Sequence, residues 1–149
     1  MVWQNGQTKK HSGFTLVELM IVVAIVGILA AIAMPMYRDY VIRSHLANAV
    51  NGIGATQAQM EQYYQDNRTY ADTGNFVAPC SGTYGEFTVS CTGTRDATQY
   101  TLSITATTGP ATGFTYTVNQ ADTKTTTFGP AWSNATVQNC WSTNKGGAC

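Results

Sequence analysis

The strongest constraint on this chain is an apolar run of 23 residues, Phe14 to Met36, interrupted by a single charge, Glu18. As a helix rising about 1.5 Å per residue it would reach roughly 34 Å. That is enough to cross a hydrocarbon layer of about 30 Å. Lys9 and Lys10 precede it and the bulk of the chain follows it. A basic flank on the short side predicts that the N-terminus stays in the cytoplasm and the rest of the chain faces outward.

Three readings of the run compete. A conventional signal peptide is the first, with Ala31-Ile32-Ala33 as a small-residue cleavage site. The run is longer than an ordinary h-region, and it carries a carboxylate. A plain membrane anchor is the second, and there Glu18 is a burden, since an ionised carboxylate in lipid costs roughly 2.5 kcal/mol or more. The third reading gives Glu18 a task in assembly.

Lys9-Lys10-His11-Ser12-Gly13-Phe14-Thr15-Leu16-Val17-Glu18-Leu19-Met20 resembles the class III signal of type IV pilins and related pseudopilins: a basic leader ending in Gly, then Phe, then Glu four residues beyond. The likeness continues through Ile21 to Pro35 and Tyr37-Arg38-Asp39-Tyr40, and so covers the first third of the chain. The resemblance implies that a prepilin peptidase cuts between Gly13 and Phe14 and methylates the new amino group of Phe14. It further implies that Glu18 pairs with the Phe14 ammonium of a neighbouring subunit, which would set register as well as attraction. A buried charge is tolerable when paired and costly when left alone. The cut takes Lys9 and Lys10 from eight basic residues, leaving six against eight acidic ones, formally −2.

The helical pattern runs on past the apolar segment. Leu46, Val50, Ile53, Gln57, Met60 and Tyr64 recur at three- and four-residue spacing and predict one face of an amphipathic helix. One helix from about Phe14 to Tyr64 is expected, with its second half under a sheet. Breakers sit inside it. Pro35 lacks a backbone donor and should kink the helix, while Gly27, Gly52 and Gly54 each weaken it by about 1 kcal/mol against Ala. The resemblance implies that the stretch from Gly27 to Pro35 loses helix in a filament. Close helix packing in the membrane is the rival account of Gly27. Tyr63-Tyr64-Gln65-Asp66-Asn67-Arg68-Thr69-Tyr70 also resembles pilins, the PilE-type group in particular, and Asp66-Asn67 predicts the helix stop. Tyr70 and Phe76 are expected to tuck the following loop onto the domain.

Three alternating runs follow: Phe87, Val89 and Cys91; Tyr100, Leu102 and Ile104; Phe114, Tyr116 and Val118. Ser and Thr lie between the apolar positions, the period-2 pattern of half-buried strands. A short fourth strand is expected at Thr125 to Phe128. Gly109-Pro110 and Asn119-Gln120-Ala121-Asp122 mark turns. The expected fold is α+β, the type IV pilin fold: a long N-terminal helix whose second half packs on an antiparallel meander of about four strands. The expected segments are 1–13 as leader, 14–36 as membrane and filament-core helix, 37–66 as amphipathic helix and 67–149 as the sheet domain with a C-terminal disulfide loop.

The cysteines are Cys80, Cys91, Cys140 and Cys149, and sequence alone leaves three pairings open. Export favours disulfides. Neighbour pairing, Cys80–Cys91 and Cys140–Cys149, is the expectation. Pilins of the PilE type more often place a bridging Cys near the third strand, and Phe114-Thr115-Tyr116 has none there.

No cofactor and no metal are expected: the cysteines lack C-x-x-C spacing, and His45 is the one histidine outside the leader. No nucleophile–base set, phosphate loop or catalytic carboxylate pair stands out, so the reading is not an enzyme. The resemblance implies a filament subunit serving adhesion, twitching motility or DNA uptake, made in the inner membrane and delivered to the cell surface. Its expected partners are copies of itself or related pilins, the prepilin peptidase and methyltransferase, the inner-membrane assembly machinery, and lipid before assembly. Alternatives are a low-abundance minor pilin binding DNA or a surface receptor, and a type II secretion pseudopilin. For DNA, the balance after Ser44 is unfavourable: Arg68, Arg95, Lys124 and Lys145 stand against six acids. Trp132 and Trp141 are candidates for a receptor contact or for local packing. Asn67-Arg68-Thr69 and Asn134-Ala135-Thr136 fit the N-glycosylation pattern.

Overall fold

The structure, a computed structural model, describes residues 13–149. Lys9, Lys10, His11 and Ser12 of the leader lie outside the described residues. The chain divides after Met36 into two units. Helix α1 spans Leu16–Asn67, with Pro35 inside it, and so contributes to both.

In the first unit, Thr15 caps the helix. Its hydroxyl accepts the Glu18 N–H at 3.2 Å and its carbonyl accepts the Leu19 N–H at 3.2 Å. A Thr at this position with Glu three residues on is the sequence signature of a capping box, which satisfies donors that a helix start leaves open. The large apolar side chains from Leu16 to Met36 are all exposed, and around Gly27 the space a Cβ would enter is open to 4 Å. Among the described residues, α1 is the one helix long and apolar enough to cross a membrane.

In the second unit, α1 buries Ile42, Leu46, Ala49, Gly52, Ile53, Thr56, Met60 and Tyr63. Leu46, Ile53 and Met60 were on the expected face. Val50, Gln57 and Tyr64 flank it half-buried, and Ala49, Thr56 and Tyr63 take the centre. The seam lies about one residue round because small side chains let the sheet come close. A Cβ on Gly52 would stand 2.5 Å from Tyr84 Cγ, so the Tyr84 ring rests on bare helix backbone. The Tyr84 hydroxyl also meets Thr56 Oγ1 at 3.3 Å. Gly52 thus costs helix propensity and makes room for an aromatic ring.

The helix ends as the Asp66-Asn67 signal predicts. Asn67 Nδ2 donates to the Tyr63 carbonyl at 3.0 Å. Arg68 then turns left-handed at φ +58° and donates its N–H to the Tyr64 carbonyl at 2.7 Å. Glycine usually takes this place, because a side chain there costs roughly 1–2 kcal/mol. The loop beyond is held by Tyr70, buried between Tyr64 and Tyr100 at centroid distances of 4.5 and 4.6 Å. Phe76 does not tuck in: it is 60% exposed beside Val77 at 79%. Its carbonyl holds the loop instead, accepting from the Tyr63 hydroxyl at 3.2 Å.

Six strands form one antiparallel sheet in sequence order: β1 Ser81–Tyr84, β2 Phe87–Cys91, β3 Thr101–Ala106, β4 Thr115–Asn119, β5 Lys124–Thr127 and β6 Thr136–Gln138. The meander is as expected, with two more strands than expected. β1 holds one large apolar residue and β6 is three residues long, so neither shows a legible alternation. The inner face carries a continuous row, Val89, Ile104, Tyr116, Thr126 and Val137, each opposite the next. With Phe87, Leu102 and Val118 this row forms the core with the buried face of α1. Phe114, Phe128 and Trp132 close one end, edge to face, with Trp132 at 5.2 and 5.5 Å from the two Phe rings.

Candidate functional site

The candidate positions divide between the two units. Gly13, Phe14, Glu18, Gly27 and Pro35 belong to the first; the four cysteines belong to the second. Gly13 and Phe14 lie exposed just ahead of the first helical turn. Glu18 occupies the first turn, where the unpaired N–H groups give a partial positive charge that favours a carboxylate. Local chemistry therefore supplies part of what a carboxylate needs near lipid. The capping pair Thr15–Glu18 was present in the sequence and went unread there.

Cys80 is bonded to Cys91, and Cys140 to Cys149. The first bridge ties the residue before β1 to the end of β2. The second closes the C-terminal loop, which is anchored under the sheet by buried polar contacts. Thr126 Oγ1 donates to the Cys140 carbonyl and accepts the Ser142 N–H, both at 2.9 Å. The Tyr116 hydroxyl donates to the Ser142 carbonyl at 2.9 Å. These contacts satisfy every polar atom that the inward Thr126 and Tyr116 bring into the core. Burial pushes the Tyr116 phenol well above its ordinary pKa.

Asp39 ties the same loop, through Lys145, and the turn at Trp132 to α1. It accepts from Trp132 Nε1 at 3.0 Å and pairs with Lys145 Nζ at 3.2 Å. Burial raises its pKa, but the hydrogen bonds from Lys145 and Trp132 outweigh this and the net shift is downward. Trp141 donates Nε1 to the Thr117 carbonyl at 2.9 Å, with Lys124 Nζ 4.8 Å from its ring centroid. Both tryptophans are therefore committed to packing, rather than held out for a receptor.

At the far end of the helix, Glu61 accepts hydrogen bonds from the Tyr100 hydroxyl at 2.8 Å and the Tyr70 hydroxyl at 3.0 Å. Burial, then the Glu61 bond, push Tyr70 up to about 12 and raise Tyr100 further. Nearby, Arg95 grips Asp72 through two 2.7 Å bonds and also donates to the Tyr70 carbonyl at 3.3 Å. The Arg95 bonds, with the Ala78 N–H, hold Asp72 down at about 2. Neither group was legible in sequence, because their members are 9 to 39 residues apart and are joined only by the fold.

Three of the six Lys and Arg side chains of the second unit are ion-paired. Arg95 is paired with Asp72, Lys124 with Asp122 at 3.0 Å, and Lys145 with Asp39. Arg38, Arg43 and Arg68 are exposed and have no ion pair among the described residues. His45 Nδ1 lies 3.1 Å from Glu86 Oε1, which also accepts the Ala111 N–H at 3.3 Å.

Comparison with known proteins places this geometry. Residues 8–34 match the prokaryotic N-terminal methylation motif. Residues 35–123, more than half of the chain, match the family described as type IV minor pilin ComP, DNA uptake sequence receptor. The fimbrial protein EcpC of Eikenella corrodens is 42% identical over 99 residues, covering 64% of this chain and 65% of that protein. A fimbrial protein of Pseudomonas aeruginosa is 55% identical over 53 residues, 36% of this chain and 34% of that one. The type IV major pilin protein PilE1 of Neisseria gonorrhoeae is 38% identical over 84 residues, 55% of this chain and 39% of that one. The chain thus spans between about a third and two thirds of the length of these relatives. No solved structure matches it. A methylation motif at the head of a bare apolar helix, and a pilin domain built as helix on antiparallel sheet and matched over most of its length, together make this chain a member of the type IV pilin family, in the group that the ComP domain describes.

Proposed function

We propose that this chain is a subunit of an extracellular type IV pilus, cut between Gly13 and Phe14, methylated at Phe14, held in the inner membrane and then packed helix to helix in a filament. The observation that carries this is the first unit of α1: exposed large apolar side chains around a lone carboxylate near the helix start. A stripe of this size needs lipid or neighbouring helices, since large exposed apolar patches mark interaction surfaces. In a filament the Phe14 ammonium of one subunit meets Glu18 of another, and each removes the other's cost of leaving water. Open space around Gly27 gives a neighbouring helix a place for close approach, and the missing donor at Pro35 makes the same stretch a place where helix can yield. Prepilin peptidase, its methyltransferase activity and the inner-membrane assembly machinery are the partners this reading requires.

Glu18→Ala should leave cleavage intact and cut surface filaments at least about tenfold, the effect of about 1.4 kcal/mol. The N-terminal mass of chains sheared from cells reports cleavage and methylation; electron microscopy counts the filaments. Normal filament numbers in Glu18→Ala would remove the proposed pairing.

A second reading, a minor pilin that binds DNA, is favoured by the matched family's description. The paired state of Arg95, Lys124 and Lys145 leaves Arg38, Arg43 and Arg68 as the exposed cations without an ion pair among the described residues, so few phosphate contacts are available at once. Under this reading log affinity should fall with log salt by about 0.9 per phosphate contact, and Arg68→Ala should lower that slope by about 1. Duplex binding by the full chain in detergent, titrated across salt, measures it. A slope of zero would exclude DNA as the ligand.

A further inference from the structure

A groove of about 350 Å³ opens beside α1 just past the apolar run, lined by Tyr37, Arg38, Val41, Ile42, Pro110 and Ala131. Positions 37, 38, 41 and 42 share one face of the helix. Pro110, in the turn between β3 and β4, and Ala131, in the 3₁₀ turn Pro130–Trp132, supply the walls. Both walls are tied to α1. Trp132 Nε1 donates to Asp39 at 3.0 Å. Glu86 accepts the Ala111 N–H at 3.3 Å and lies 3.1 Å from His45 Nδ1. The groove is thus formed before anything enters it, and little ordering remains to oppose binding. Its size falls at the small end of ligand pockets, about 300–1,000 Å³.

Chain connectivity fixes its depth. Tyr37 directly follows Met36, the last residue of the apolar run, and Ile42 is six residues beyond Met36, about 9 Å along a helix. The headgroup region adds roughly 5–7 Å to each side of the hydrocarbon. With the run in the bilayer, Tyr37 and Arg38 stand among headgroups, and Val41 and Ile42 at their outer edge. Tyr37 and Tyr40 are 69% and 70% exposed, as suits the amphipathic rings that membrane–water boundaries favour.

The charges point to the occupant. Arg38 is the one charged residue of the lining, exposed and without an ion pair among the described residues. It lies on the outward flank of the run, which the positive-inside bias leaves poor in Lys and Arg. Residues 107–115 and 128–135, which carry the walls, hold no charge at all. The nearby carboxylates are engaged, Asp39 by Lys145 and Glu86 by His45. The groove therefore offers a cation at one place and apolar surface elsewhere. We propose that it binds one anionic phospholipid, with the phosphate on Arg38 and the first part of an acyl chain against Val41, Ile42, Pro110 and Ala131. The planar guanidinium suits a phosphate. An apolar helix from a second copy fits less well, since it would bury the Arg38 charge unpaired. The site rests on the inner-membrane stage of the function proposed above.

The test titrates the full chain in non-ionic detergent with phosphatidylglycerol or phosphatidylcholine and weighs the lipid adducts by native mass spectrometry. One phosphatidylglycerol per chain is expected, with a Kd at least about tenfold below that of phosphatidylcholine. Arg38→Gln should remove the preference, and Ala131→Phe, which fills the groove, should weaken phosphatidylglycerol about tenfold. Both positions are exposed, so melting temperatures should hold. Arg43→Gln is the control: Arg43 is also exposed and unpaired, but stands about 140° round the helix from Arg38, and should leave the preference intact. Equal affinity for the two lipids, a preference that survives Arg38→Gln or disappears equally in Arg43→Gln, or binding unchanged in Ala131→Phe would overturn the site. So would displacement of the lipid by inorganic phosphate, or dimers in place of adducts. Flotation of the same chains with vesicles separates the two claims. A chain that floats without lipid preference loses the groove alone; a wild type that does not float loses the membrane reading and the groove together.

Discussion

At the scale of single residues, the informative positions are those where a side chain contradicts its local setting. Gly52 sits in mid-helix, where it costs about 1 kcal/mol against Ala, and Tyr84 occupies the space it leaves. Gly52→Ala should return that helix propensity and lose more through overpacking, for which about 1–3 kcal/mol is usual. A net loss of roughly 1 kcal/mol is expected, seen as a fall of several degrees in the melting temperature of the full chain in detergent. Adding Tyr84→Ala should relieve the clash, so that Gly52→Ala becomes neutral or stabilising in that background. Equal cost in both backgrounds would show that the ring is not the reason for the glycine. Glu18 is a second such residue. The partial positive charge of the helix start favours its carboxylate, while the Thr15 hydroxyl accepts only its backbone N–H.

At the scale of elements, what could be read from sequence follows the strength of the periodic signal. The apolar run and β2 to β5 were legible because burial on one or all sides writes a clear pattern. The strands β1 and β6 are short edges, where one face row ends and alternation has no length in which to appear. The buried face of α1 was read about one residue off, because sequence pattern favours large apolar residues. The close contact is made instead by Ala49, Gly52 and Thr56. Phe76 was misplaced for a related reason: an aromatic ring in a loop suggests packing, and here the loop is held by its backbone and by Tyr70. The Glu61 tyrosine cluster and the Arg95–Asp72 grip arise from contacts between distant segments, which no local window contains.

At the scale of the whole described sheet domain, stability depends on groups that must keep one protonation state. The bonds from Arg95 hold Asp72 at about 2, and Asp39, Asp96 and Asp122 are also shifted downward. A carboxyl with a depressed pKa gives stability that is present above its unfolded value, about 3.9, and lost as pH falls through its folded one. Tyr70, raised to about 12, gives stability that is present below about 10 and lost as pH rises through 12. The melting temperature should be level between about pH 5 and 9, falling between about 4 and 2 and again above about 10. Asp72→Asn should lower the plateau and flatten the acid limb, in thermal scans of the full chain in detergent. An acid limb of the same steepness in Asp72→Asn would assign it to other carboxylates.

The strand order has a further consequence, for how the molecule is made. Each strand pairs only with those before and after it in the chain. No strand waits for a distant partner, and such local pairing favours rapid folding. A chain crossing the membrane from its N-terminus can therefore close hairpin after hairpin as it emerges. Cys80 and Cys91 both precede β3 in the chain, so their loop needs no later strand to close. The strip under β4 and β5, with Ser142 at its centre, is filled last. Until Cys140 and Ser142 arrive, Tyr116 and Thr126 lack their partners, so this stretch acts as the latch of a sheet whose strands pair in chain order.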